Sequence, residues 1–181
     1  MIELNNLTYK TNKILFDRAS FKAPSIGIIG IAGESGCGKT TFLKIISKQI
    51  HVDSMLNDAV SIFYGNQDAL LKRDLTIMQQ FELIESIYNR EHDQNTIDEL
   101  FNSLNIKASL SQKYDSCSLG EKKRIMIALS VYSNSPCIIL DEPLSSVDYE
   151  DKHSIMKLLK KHSHDRVIIL TIHDEEFDDY L

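Results

Sequence analysis

The stretch "SIGIIGIAGESGCGKTTFLKIISKQI" (residues 25–50) decides the fold. It opens on an apolar run, Ser25 to Gly33, that is continuous rather than alternating. Such a run marks a strand buried on both faces, as in a parallel sheet. It closes on "TTFLKIISKQI" (40–50), apolar at 42, 43, 45, 46 and 50, which is one face of a helix. Between them "GESGCGKT" (33–40) fits G-x-x-x-x-G-K-[ST], and it lies between strand and helix, the context the motif requires. The glycines let backbone N–H groups turn inward around phosphates. Lys39 can reach the β- and γ-phosphates, the Thr40 hydroxyl can ligate Mg²⁺, and the helix dipole adds to the attraction. Cys37 is read as a small residue within the loop.

Working outward, residues 2–4 and 7–9 suggest short strands joined by a turn at "NN", with further short strands at 14–16 and 19–23 closed by Pro24. "AVSIFY" (59–64), "CIIL" (137–140) and "RVIILTI" (166–172) read as buried strands. Residues 76–89, 95–104, 119–133 and 150–162 read as helices. The order strand–helix–strand, helical interlude, helix–strand–helix–strand predicts an α/β fold with a parallel sheet. A small N-terminal antiparallel β-subdomain precedes it, and a helical insertion occupies about residues 68–115. All 181 residues are expected to form a single domain.

With 43% apolar and 25% charged residues, the chain can bury a core and is not a disordered polymer. The net charge of -6 and the lack of a Lys/Arg block argue against a nucleic-acid partner, which clustered cations would hold. The three cysteines, Cys37, Cys117 and Cys137, form no C-x-x-C pair, so reduced thiols are expected, not a disulfide framework or zinc site. No apolar run approaches a membrane span and the start lacks a signal-peptide pattern, which points to a soluble chain.

"CIILDEP" (137–143) ends an apolar strand in two carboxylates, at the strand end where parallel sheets bind ligands. Asp141 is suited to hold Mg²⁺ and Glu142 to polarise an attacking water. His173 follows the last strand; taken alone it is a polar cap. "HSH" (162–164) lacks a ligand array for metal, and "DEEFDD" (174–179) reads as a solvated face.

Together these residues resemble the nucleotide-binding subunit of the ABC (ATP-binding cassette) transporter family, over nearly the whole chain. The resemblance implies a P-loop NTPase core that binds ATP and Mg²⁺ and hydrolyses ATP. Gly33, Glu34, Ser35, Gly36, Cys37, Gly38, Lys39, Thr40 and Thr41 would be the Walker A residues. "IILDE" would be Walker B, with Asp141 on the metal and Glu142 as catalytic base. Gln67, after "IFYGN", resembles the Q-loop glutamine that senses Mg²⁺ and the attacking water. His173 resembles the switch histidine at the γ-phosphate. "SSVD" (145–148) resembles the D-loop, which puts Asp148 at a dimer interface. "DLTIMQQFELI" resembles the start of the helical subdomain that grips a permease.

"CSLGE" (117–121) stands where the family's signature, usually L-S-G-G-Q, is found. In this family the signature of one subunit closes over the nucleotide of the other. Ser118 would supply a hydroxyl and Gly120 an exposed N–H to the γ-phosphate. Leu119 and Glu121 replace the usual glycine and glutamine, and Glu121 adds negative charge that Lys122, Lys123 and Arg124 partly offset. Tyr9 is the candidate for stacking on adenine, with a core position as its other reading. The β-subdomain is reduced relative to the family, and only eight residues follow His173.

The expected partners are therefore an integral membrane permease and a second ABC ATPase subunit, in a homodimer or heterodimer. The expected location is the cytoplasmic face of the cell membrane. "GESGCGKT" and "RIMIAL" look most like the peptide and nickel importer branch. A non-transport ABC ATPase, suggested by "LGEKKR", and a weakly hydrolysing regulatory cassette are the alternatives.

Overall fold

The computed structural model of the protein describes residues 2–52, 61–66, 74–145 and 147–172. Gln67 and His173 lie outside the described residues. Two strands, β1 (Glu3–Lys10) and β2 (Ile14–Lys22), pair antiparallel. Here the structure corrects the expectation of four short pieces. "NN" is no turn: Asn6 takes a left-handed φ of 53° inside β1, and the register shifts between Leu4 and Leu7. Arg18 does the same in β2, with φ 51°. A bulge absorbs one left-handed residue without ending the strand, and asparagine tolerates that conformation well.

The central sheet holds β3 (Gly27–Ile31), β4 (Ile62–Gly65), β5 (Cys137–Leu140) and β6 (Val167–Thr171), all parallel, in the order β3-β6-β5-β4. Helix α1 (Lys39–Ile46) follows β3. Helices α2 (Ile77–Tyr88), α3 (Gln94–Ser103) and α4 (Leu119–Tyr132) stand between β4 and β5, and α5 (Tyr149–His162) between β5 and β6.

Alternation along the strands splits the core in two. Ile138, Leu140, Ile168 and Leu170 pack with Phe63 against α2–α5. Cys137, Ile139, Val167 and Ile169 face the other way, against Leu43 and Ile46 of α1. Both faces are covered, which is why these strands read as unbroken apolar runs. Leu4, Leu7 and Ile45 form a smaller cluster that docks the antiparallel pair on α1.

Helix α4 is buried from Ile125 to Tyr132 on nearly every side, between α2, α3 and α5 and the sheet. Thr76 starts α2 with a capping box to Gln79. The register Ile31↔Thr171, Leu140↔Leu170 and Gly65↔Leu140 brings the carboxyl ends of all four strands to one edge of the sheet. That edge is where open α/β sheets bind ligands.

Candidate functional site

The loop after β3 runs along this edge into α1. Gly33, Gly36 and Gly38 take φ of 149°, 75° and 112°, a range other residues rarely adopt. Gly38 is the N-cap of α1 and has no side chain to cap with, and the first turn carries no acidic residue. The first amides of α1 thus keep their positive end uncapped by any side chain, as an anion site requires. Lys39 bends over the loop: its ammonium donates to the Gly33 carbonyl, and to the Glu34 carbonyl at 3.1 Å. Glu34, Ser35, Gly36, Cys37 and Thr40 are exposed, and Thr41 is half-buried.

The β1–β2 hairpin leans on the loop. Lys13 donates to the Gly36 carbonyl at 3.4 Å. A Cβ built on Gly38 would come within 3.3 Å of the Phe16 ring and 3.7 Å of Leu15. Tyr9 sits half-buried opposite Phe16 and packs on the Leu4–Leu7–Ile45 cluster, so of its two sequence readings the core position describes what it touches. The hairpin residues at the loop are Lys13, Leu15 and Phe16, which the sequence reading did not single out.

One strand separates β3 from β5, a spacing of about 10 Å. At the end of β5, Asp141 accepts from the Thr171 hydroxyl at 2.9 Å, and the Glu142 N–H donates to the same hydroxyl oxygen at 2.6 Å. The Asp141 N–H donates to Gly65 at 3.0 Å, tying the turn to β4. Glu142 has φ 50°, a left-handed conformation that costs on the order of 1 kcal/mol or more for a residue with a Cβ. Its side chain is exposed while Asp141 is half-buried. The negative charge of Asp141 also acts on Tyr64, whose hydroxyl is pushed up to about 12, chiefly by burial and then by that carboxylate.

Among the described residues no group of three His, Cys, Asp or Glu could enclose a metal ion. The donors that fit Mg²⁺ are the Thr40 hydroxyl and the Asp141 carboxylate. Such a sparse oxygen set suits Mg²⁺, which keeps waters and takes phosphate oxygens as further ligands.

At the start of α4 the structure changes the meaning of the signature residues. Ser118 and Glu121 form a capping box: the Glu121 N–H donates to Ser118 Oγ at 3.3 Å, and the Ser118 N–H donates to Glu121 Oε2 at 3.0 Å. The three cations that follow are all used inside the chain. Lys122 donates to the Asp115 carbonyl at 2.9 Å, and Arg124 pairs with Asp151 of α5. Lys123 is buried and donates to the Glu142 carbonyl at 3.3 Å and to the carbonyl and hydroxyl of Ser145. Among the described residues, a Cβ on Gly120 would meet only the Arg124 guanidinium, at 4.0 Å. Its neighbour Leu119 is 50% exposed. Cys117 is buried, which raises its thiol pKa, and Asp148 begins α5 with its side chain outside any cap bond.

A glycine-led helix N-terminus beside an acidic strand end, on one edge of a parallel sheet, defines a P-loop α/β nucleotide-binding fold. A family model described as ABC transporter matches residues 16–145, and the chain belongs to that family: it is an ATP-binding cassette and an ATPase. It is 27% identical to the cytochrome c biogenesis ATP-binding export protein CcmA of Vibrio cholerae, over 99% of this chain and 94% of that protein. To CcmA of Reclinomonas americana it is 30% identical, over 96% of this chain and 85% of the relative. An ABC transporter ATP-binding protein from Pyrococcus furiosus has the same fold, with a TM-score of 0.81 at 21% identity, over 96% of this chain and 91% of that one. These likenesses do not speak for the peptide and nickel importer branch. Among the described residues no helix is long and apolar enough to cross a membrane.

Proposed function

We propose that this chain binds ATP with Mg²⁺ at the interface of two cassettes, and that closing and reopening this pair drives a separate membrane permease. The observation that carries the reading is the uncapped start of α1 with Lys39, on the same sheet edge as Asp141 and Glu142. In it, the loop amides and Lys39 hold the β- and γ-phosphates. Thr40 and Asp141 hold Mg²⁺, and the Glu142 carboxylate takes the proton of the attacking water. Bound Mg²⁺ supplies charge neutralisation on the phosphate oxygens. Gln67 and His173 complete the site as Mg²⁺ sensor and γ-phosphate contact. The base lies on the hairpin side, against Leu15 and Phe16.

Gly120 supports the composite site. Glycine is a poorer helix former than alanine even in a first turn, and among the described residues no packing requires it at 120. Close approach of something from outside accounts for it, and a second cassette's nucleotide is that group. Helices α2 and α3 are the surface offered to the permease. Export is the proposed direction, on the names of the CcmA relatives.

Equilibrium binding of ATP with Mg²⁺ to the purified chain is the test. Wild type binds, and Lys39→Ala weakens binding about tenfold or more, the loss of one charge-assisted contact. A wild-type chain that binds no ATP contradicts the reading.

A further inference from the structure

Lys123 is only 2% exposed, in the second turn of α4. Burying an ammonium group costs several kcal/mol unless its hydrogen bonds are well satisfied. A methionine or leucine would fill the same space at no such cost. Among the described residues the acceptors of Lys123 are neutral oxygens, and all belong to one turn: the carbonyl of Glu142, and the carbonyl and hydroxyl of Ser145.

That turn needs holding. Glu142 stands at φ 50°, in a region that persists only where the surroundings fix it. Its N–H is fixed from β6, by the Thr171 hydroxyl at 2.6 Å. Its carbonyl accepts from Lys123 at 3.3 Å, from the Ser145 N–H at 3.3 Å and from the Ser145 hydroxyl at 3.1 Å. Lys123 grips both ends of the turn at once, because Ser145 is its other partner. The Glu142 main chain is clamped on both sides while its side chain stays exposed at the sheet edge.

We propose that Lys123 is a positioning residue for ATP hydrolysis: its buried ammonium closes the 142–145 turn and so aims the Glu142 carboxylate at the attacking water. The inference rests on the reading of Glu142 as the base. A misplacement of about 1 Å at a reacting group costs on the order of a hundredfold in rate, so a clamp on the backbone of that group acts on turnover. Lys123 is buried and its acceptors lie in the turn, so it acts through Glu142 and is expected to leave MgATP binding alone.

The test is steady-state ATP turnover together with equilibrium MgATP binding, for the full chain carrying Lys123→Met, Lys123→Gln or Glu142→Gln. Lys123→Met is expected to lower kcat about tenfold or more, with KM and the MgATP dissociation constant within about twofold of wild type. Lys123→Gln, which keeps N–H donors, recovers part of the loss. A kcat for Lys123→Met within about twofold of wild type, per folded molecule, overturns the inference, as does a loss carried by weaker binding. Glu142→Gln separates the two claims. If it turns over ATP like wild type, the reading of Glu142 fails and the inference falls with it. If it is inactive while Lys123→Met is active, the inference alone fails. Should Lys123→Met not fold, Ser145→Ala removes one partner of the ammonium. A kcat loss of about threefold or more at unchanged affinity then supports the clamp, and an unchanged kcat overturns it.

Discussion

The Ser118 hydroxyl donates to the Glu121 carboxylate at 2.8 Å while accepting from the Glu121 N–H. The glutamate that stands in place of the family's glutamine is therefore spent on its own helix start. These hydrogen bonds, from the Ser118 backbone first and its side chain second, hold the Glu121 carboxyl below its ordinary value of 4.5. A depressed folded pKa gives stability that is complete above the unfolded value and lost as pH falls through the folded one. Glu121→Gln keeps a capping box but has no charge to titrate. It is expected to lower the melting temperature slightly near pH 7, where the charge contributes in full, and to flatten the loss of stability below about pH 4.5, so that the two proteins converge in acid. Ser118→Ala removes the cap and is expected to cost about 1 kcal/mol. Thermal denaturation as a function of pH checks both, and an unchanged acid limb in Glu121→Gln contradicts the assignment.

Gly120 offers a test in which stability and activity move in opposite directions. An alanine there has open space among the described residues and favours the helix, by less than the ~0.5–1 kcal/mol of a helix interior because Gly120 lies in the first turn. Gly120→Ala is expected to melt at or above the wild-type temperature and yet to hydrolyse ATP several-fold more slowly. Equal or faster turnover would mean that nothing approaches this face closely.

Thr171 is 1% exposed and joins the two carboxylate residues through one hydroxyl. Thr171→Val keeps the shape and deletes that hydroxyl, which takes away the acceptor of the Glu142 N–H. A loss of about 1–3 kcal/mol of stability is expected, and kcat should fall with little change in KM. Chemical denaturation and steady-state kinetics measure the two effects.

The parts legible in the sequence are those where a single local rule governs. Strand β5 occupies the residues its apolar run predicts, and β3, the glycine loop and α1 follow from run, motif and periodicity. Strand β1 was not legible as one strand, because Asn5–Asn6 is chemically a turn signal and only cross-strand pairing turns it into a bulge. Helix α4 hides its tertiary role for a different reason. It is buried almost all round, so no polar stripe marks which of its cations is interior, and Lys123 looks like Lys122. Thr171 is likewise one polar residue at the end of an apolar strand, and Leu15 and Phe16 look like ordinary strand residues until the hairpin folds onto Gly38. What the sequence could not express is which side chain meets which across long separations.

The central claim is that two cassettes share their ATP sites, each closing the other's with the Ser118–Gly120 end of α4. Glu142→Gln blocks hydrolysis in this account without touching the phosphate loop, so the closed pair accumulates. Sedimentation velocity of purified Glu142→Gln measures this directly. The account predicts a monomer without nucleotide and a dimer with saturating ATP and Mg²⁺, with Lys39→Ala abolishing the shift when combined with it. A Glu142→Gln chain that binds ATP and remains a monomer contradicts the claim.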